Sequence, residues 1–190
     1  LVGSEMCIRD RDTPNFIIIY MDDLGWHQTS VRMMDSEPMS KHFFYKTPNV
    51  ERLAEMGMCF SNGYAPTATC TGSRVSIQFG QTSARTQYRY VFDVYHKKQR
   101  PNGYAGQYSL ADSVKTAGKN YITAHFGKGM TEKLKMVNYD VTDEYEKYAP
   151  NGNLHGEKID IPTRRELPPD NPKRIYSLID ESMKFLRENA

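Results

Sequence analysis

The chain has 190 residues, 38% hydrophobic and 25% charged; the length suits one domain or part of a larger one, and the composition excludes collagen-like, coiled-coil and disordered classes. Its 25 basic and 23 acidic side chains leave a formal net charge of +2, which gives no electrostatic footprint for a nucleic-acid partner. The longest apolar run covers residues 16–21, too short to span a membrane, and three cysteines (Cys7, Cys59, Cys70) cannot build a disulfide framework.

In chain order, residues 1–11 lack the basic start and apolar stretch of a secretory signal. They read as a non-native leader, similar to translated sequencing-adapter sequence, or as a disordered native one, and are set apart from the fold. Residues 15–21 predict a buried parallel strand, because Phe16-Ile17-Ile18-Ile19-Tyr20 is β-branched and aromatic without polar alternation. Asp22-Asp23-Leu24-Gly25 follows, placing two carboxylates where open α/β sheets hold ligands. Thr47 as N-cap and Pro48 at the first helical position predict a helix with Val50, Leu53 and Ala54 on its apolar face and a stop at Gly57. Residues 58–64 read as a short strand, and a helix is expected from Gly72 or Ser73 into Phe79. Residues 85–108, rich in Tyr, Gln and Gly, read as a surface insertion.

Ser109-Leu110-Ala111-Asp112 is a capping-box variant opening a helix to about Ala117, closed by Gly118. Residues 121–127 predict a strand with Ile122, Ala124 and Phe126 on one face, and residues 144–170 predict loop. Asn171-Pro172 caps a last helix with Ile175, Leu178, Ile179, Met183 and Leu186 at helical spacing. Strands alternating with helices imply an α/β fold with a mainly parallel sheet.

Two motifs carry chemistry. Asp22-Asp23 suits a hard divalent cation, and equally a simple turn. Cys70-Thr71-Gly72-Ser73-Arg74 places a cysteine at a helix start one turn before an arginine, where backbone N–H groups and positive charge collect. Such a place holds an anion or a developing negative charge; a small buried Cys and an ion-paired Arg fit the same residues.

Residues 14–26, Pro-Asn-Phe-Ile-Ile-Ile-Tyr-Met-Asp-Asp-Leu-Gly-Trp, resemble the opening of the formylglycine-dependent sulfatases of alkaline-phosphatase-like fold. Thr47-Pro48-Asn49-Val50-Glu51-Arg52-Leu53-Ala54 is similar to that family's next block, and Cys70-Thr71-Gly72-Ser73-Arg74 to its Cys-x-Pro/Ala-x-Arg signature. Tyr121-Ile122-Thr123-Ala124-His125-Phe126-Gly127-Lys128 resembles the strand carrying its active-site lysine, and Asp170-Asn171-Pro172-Lys173-Arg174 with the last helix is also similar.

The resemblance implies an alkaline-phosphatase-like α/β fold, a mainly parallel sheet flanked by helices and incomplete at the C-terminus. Residues 12–190 would be the N-terminal part of a truncated catalytic domain, inactive alone, with further metal ligands contributed later in the chain. It implies a sulfuric ester hydrolase in which Cys70 becomes formylglycine through a separate formylglycine-generating enzyme. Asp22, Asp23 and the modified Cys70 would bind Ca²⁺, with Mg²⁺ as second choice. Arg74 would steady the formylglycine, Lys128 would contact it and the sulfate, and the substrate would be a sulfated small molecule or glycan. By the same resemblance the protein is periplasmic or secreted.

Two departures stand out. Gly72 occupies the Pro/Ala position, and Gly127-Lys128-Gly129-Met130 stands where the family has Gly-Lys-Trp-His. His125 lies nearby but reads as structural within the sheet. His27 reads as a loop residue, His42, His96 and His155 as solvated, Lys97-Lys98-Gln99-Arg100 as a solvated basic run, and Cys59 as core. Two other functions remain open: a phosphomonoesterase or phosphodiesterase of the same superfamily, and a non-catalytic anion- or glycan-binding protein descended from a sulfatase.

Overall fold

The computed structural model describes residues 14–88, 107–118, 120–129, 137–142 and 175–189. The chain divides into two compact units, one of Ile18–Ala65 and one of Leu1–Ile17 with Pro66–Ala190. Its elements are a 3-10 turn at Pro38–Ser40, helices α1 (Pro48–Met56), α2 (Cys70–Phe79), α3 (Ser83–Thr86), α4 (Leu110–Thr116) and α5 (Ile175–Asn189), and strands β1 (Ala124–His125) and β2 (Val141–Thr142). The two strands pair in parallel, Ala124 opposite Val141 and His125 opposite Thr142. Among the described residues no helix is long and apolar enough to cross a membrane.

The smaller unit is organised by local hydrogen bonds. Pro48 opens α1 as expected, but the Thr47 side chain does not cap it. Instead Thr47 Oγ1 accepts from the Ser30 amide at 3.0 Å, and the Thr47 amide donates to Ser30 Oγ at 2.9 Å. Ser40, fully buried, accepts from the Met34 amide and donates to the Met34 carbonyl, at 3.1 and 3.0 Å. The side chain of Glu37 caps the 3-10 turn by accepting from the Met39 amide. Apolar burial contributes little: α1 has no buried residue, and Leu53, Met58 and Phe60 are exposed.

Residues 15–21 form no strand, and their side chains are exposed, Phe16 at 67% and Ile19 at 72%. A strand exists only through ladder bonds to a neighbour, and no described segment pairs with this one. The same holds for residues 58–64.

The larger unit has the core. Val75, Phe79, Tyr88 and Val137 pack together with Tyr139 against them. α2 begins two residues before the expected start, so Cys70 is its first helical residue. It ends at Gly80, in the left-handed region at φ 58°, where Gln81 N–H reaches the Ser76 carbonyl at 3.1 Å and closes the last turn. Tyr88 is a correction to the expected insertion: it is core, and residues 83–86 are helical. Residues 89–106 lie outside the described part, as do residues 144–170 and the expected cap Asn171-Pro172.

The capping box is present at α4: the Asp112 amide donates to Ser109 Oγ at 3.1 Å, and the Ser109 amide donates to Asp112 Oδ2 at 2.8 Å. The Ser109 hydroxyl also reaches the Val137 carbonyl at 2.9 Å, tying the helix start to the core. Lys115 on α4 bonds Asp140 Oδ1 at 2.6 Å, and Asp140 Oδ2 accepts from the Thr123 amide at 2.8 Å. That carboxylate therefore joins α4 to both sides of the small sheet.

The expected strand at 121–127 is reduced to β1, and β2 is an element that hydropathy did not indicate. α5 packs through Leu178 on Gly127 and through Phe185 on Phe126, whose rings are 5.9 Å apart, while Ile175, Ile179 and Met183 stay exposed.

Candidate active site

Cys70 is a half-buried free thiol at the first position of α2. The first turn of this ten-residue helix has no acidic residue, so the turn itself supplies no counter-charge to its N–H groups. Residues 67–69 fold over that turn: the Ser73 hydroxyl donates to the Thr67 carbonyl at 2.7 Å, and the Thr69 amide donates to Thr67 Oγ1 at 3.1 Å.

This loop explains Gly72. A Cβ there would lie 2.6 Å from Thr67 Cγ2 and 2.9 Å from the Tyr88 carbonyl oxygen. Neither contact is tolerable without movement, and one of them is backbone. The departure from the signature's Pro/Ala is thus matched by close packing around the residue.

Arg74 lies one turn after Cys70 on the same helix face. Its Nη1 donates to the Lys128 carbonyl at 2.5 Å. Lys128 follows Gly127, whose φ of 91° turns the chain out of β1, with Leu178 of α5 within 3.3 Å of where a Cβ would be. Cys70, Arg74 and the Lys128 backbone are therefore gathered in one unit, on elements joined by a direct hydrogen bond.

His125 sits in β1, within the sheet as expected. Burial, and secondarily the Arg74 charge, push its pKa down to about 4, so it is neutral at neutral pH. Its ring lies 5.5 Å from that of Tyr139, whose hydroxyl donates to Gln78 Oε1 on α2 at 2.9 Å. Burial raises the Tyr139 pKa, opposed by the Gln78 bond. Sequence reasoning did not single out Gln78 or Tyr139. Gln78 was legible as the third member of the i, i+4, i+8 series Cys70, Arg74, Gln78. Tyr139 was not, because it meets Gln78 across 61 residues.

Asp22 and Asp23 belong to the smaller unit and are exposed. Asp23 has φ 54°, a left-handed turn conformation that Asp tolerates better than most residues. Two adjacent carboxylates offer oxygen-only donors, which fit a hard cation and supply part of its shell. Among the described residues no group of three or more His, Cys, Asp and Glu is placed to hold a metal. Cys59, expected in the core, is exposed, with its thiol 3.7 Å from Met33 Sδ.

Comparison with known proteins follows the same residues. The Sulfatase family model matches residues 14–187. The chain is 33% identical over 149 residues to a sulfatase of Formosa agariphila, covering 70% of this chain and 26% of that protein. It is 30% identical over 115 residues to arylsulfatase G of Canis lupus familiaris, covering 60% and 19%. To N-acetylgalactosamine-6-sulfatase of the same species it is 29% identical over 120 residues, covering 60% and 21%. The chain thus spans about a quarter or less of the length of these relatives, and no solved structure matches it. With a family match from before the Asp22-Asp23 pair into the last turn of α5, the chain belongs to the sulfatase family.

Proposed function

We propose that this chain supplies the nucleophile-bearing, N-terminal part of a longer sulfuric ester hydrolase, with residues 12–190 belonging to its catalytic domain. The observation that carries the reading is Cys70 at the first position of α2, with Arg74 one turn later bonded to the Lys128 carbonyl.

When present, a formylglycine hydrate made from Cys70 would supply the nucleophilic oxygen toward sulfur, and a divalent cation, Ca²⁺ or secondarily Mg²⁺, would supply charge to polarise the ester. Asp22 and Asp23 would be two of its oxygen ligands, and residue 70 a third; the remainder of the roughly 6–8 that Ca²⁺ takes would come from elsewhere in the full-length protein. The α2 N-terminus offers backbone N–H groups to the anionic sulfate. Arg74 carries a guanidinium cation, held by its bond to the Lys128 carbonyl, whose charge would steady negative charge near residue 70. Lys128, whose carbonyl accepts from Arg74, would contribute an ammonium able to hold a sulfate oxygen or pass a proton.

The substrate is a sulfated small molecule or glycan. Maturation would require a formylglycine-generating enzyme, and the reading has the protein act in the periplasm or outside the cell, for which the family resemblance is the support. Mass spectrometry of the Cys70 peptide, from full-length protein co-expressed with that enzyme, tests the reading. Conversion of thiol to aldehyde with hydrolysis of an aryl sulfate is expected. An unmodified Cys70 with no turnover would favour the non-catalytic binding alternative, and stoichiometric zinc with phosphate-ester hydrolysis the phosphoesterase one.

A further inference from the structure

The helical turn that presents Cys70 is gripped by a residue upstream of it. Thr67 stands in the loop that runs into α2 and engages the first turn with three of its groups. Its carbonyl accepts from the hydroxyl of the buried Ser73 at 2.7 Å. Its Oγ1 accepts from the Thr69 amide at 3.1 Å. Its methyl Cγ2 stands 2.6 Å from where a Cβ on Gly72 would be. Carbonyl, hydroxyl and methyl therefore all bear on residues 69–73, the segment that contains residue 70.

Both walls around Gly72 are anchored. The Ser83 hydroxyl, at the start of α3, donates to the Pro66 carbonyl at 3.0 Å and so holds the residue before Thr67. On the other side the Tyr88 carbonyl oxygen is 2.9 Å from the same Cβ position, and Tyr88 belongs to the core with Val75 and Phe79. The room that a side chain at position 72 needs is already filled from two directions. A Cβ there must displace the Thr67 loop or the first turn of α2, because a packed wall gives only by moving. Either movement carries residue 70 with it, since residues 70 and 72 share one rigid turn.

We infer that Thr67 is a positioning residue for residue 70, with Gly72 as its matched partner. The Thr67 methyl takes the space beside Gly72, and the pair together sets where the first residue of α2 points. Restoring the Ala of the family signature at position 72, with Thr67 left in place, therefore impairs the reaction instead of improving it. This inference rests on the sulfatase reading of Cys70.

The test uses full-length protein co-expressed with a formylglycine-generating enzyme, and an aryl sulfate as substrate. Turnover is counted per formylglycine found at residue 70 by mass spectrometry, so that maturation and positioning are read separately. Gly72→Ala should lower this kcat about tenfold while KM stays within about twofold, because misplacement acts on the reacting geometry rather than on substrate capture. Thr67→Ser keeps the carbonyl and the hydroxyl and removes the methyl. In the Gly72→Ala background it should raise kcat about threefold, the Tyr88 carbonyl accounting for the rest, and in the wild-type background it should give no gain. A wild-type kcat per formylglycine in Gly72→Ala overturns the inference, as does an equal effect of Thr67→Ser in the two backgrounds. Should Gly72→Ala fail to fold, Thr67→Val keeps the methyl and removes the oxygen that accepts from Thr69, and should lower kcat about threefold at unchanged KM; an unchanged kcat overturns the inference. Cys70→Ala separates the two levels. Retained turnover there overturns the sulfatase reading itself, whereas a dead Cys70→Ala beside an unaffected Gly72→Ala overturns only the positioning role.

Discussion

α2 opens with Cys-Thr-Gly-Ser-Arg and residues 15–21 are almost wholly apolar; each carries or precedes a motif expected to do chemistry, yet they end in opposite states. α2 buries seven of its ten residues, among them Val75 at 2% exposure, and presents Cys70 and Arg74 from a rigid element. Residues 16–21 leave all six side chains exposed before Asp22-Asp23. A helix satisfies its own backbone, so burying one face suffices to hold it. A strand needs a neighbour's N–H and C=O groups before any side chain can pack. Cys70 and Arg74 are therefore carried by an element anchored in the larger unit's core, while Asp22-Asp23 stand in an exposed turn of the smaller unit.

The sharpest way to break that contrast is at Cys70. Cys70→Ala in the full-length matured enzyme should reduce aryl-sulfate turnover by about a thousandfold or more, as removal of a covalent nucleophile does, and leave the melting temperature unchanged. Turnover near wild type would show that the well-packed half is not where the chemistry lies.

Glycine substitutions compare the two units directly. Gly72→Ala places a Cβ 2.6 Å from Thr67 Cγ2 and 2.9 Å from a backbone oxygen, and should cost about 1–3 kcal/mol by overpacking. Gly63→Ala, in the smaller unit, meets nothing nearer than 3.8 Å and should stay within about 0.5 kcal/mol of wild type. Denaturant melts of both variants measure the difference, and equal shifts would refute it.

The pH dependence of stability should come chiefly from the packed unit. His125 has a folded pKa of about 4 against an ordinary 6.5, so between those values the unfolded chain binds more protons than the folded one. Stability should fall as pH drops from 6.5 to 4 and level off below. Tyr139, tilted against the ring, has its pKa raised by burial and stays neutral across that window. His125→Phe should flatten this limb in thermal melts taken across it; a limb that persists assigns it elsewhere.

The smallest effect is expected at Asp140. Its bond to Lys115, and then to the Thr123 amide, lowers its pKa to about 2. The resulting stabilisation is present above the unfolded carboxylate value of about 3.9 and is lost as pH falls through about 2. The pair is partly exposed, so Asp140→Asn should cost under about 1 kcal/mol at pH 7, with the two melting curves converging near pH 2.

Adjacent residues determined much of this protein. Thr47-Pro48 placed the start of α1, Ser109 and Asp112 wrote the capping box of α4, and the ordered motifs from Asp22-Asp23 to Lys128 carry the family resemblance. Each depends on atoms within a few bonds of one another, or on short motifs, and survives whatever the rest of the chain does. Tertiary structure decided the remainder. It turned the Thr47 hydroxyl from its helix to Ser30 and brought Tyr88 into the core. It filled the space at Gly72 with Thr67 and a distant carbonyl, and joined Tyr139 to Gln78 across 61 residues. It also left residues 15–21 without the pairing their composition calls for. The reason is common to all of these: a side chain's partner across tens of residues, and a strand's partner above all, is fixed by which backbones meet in space, and hydropathy along one segment carries no record of that.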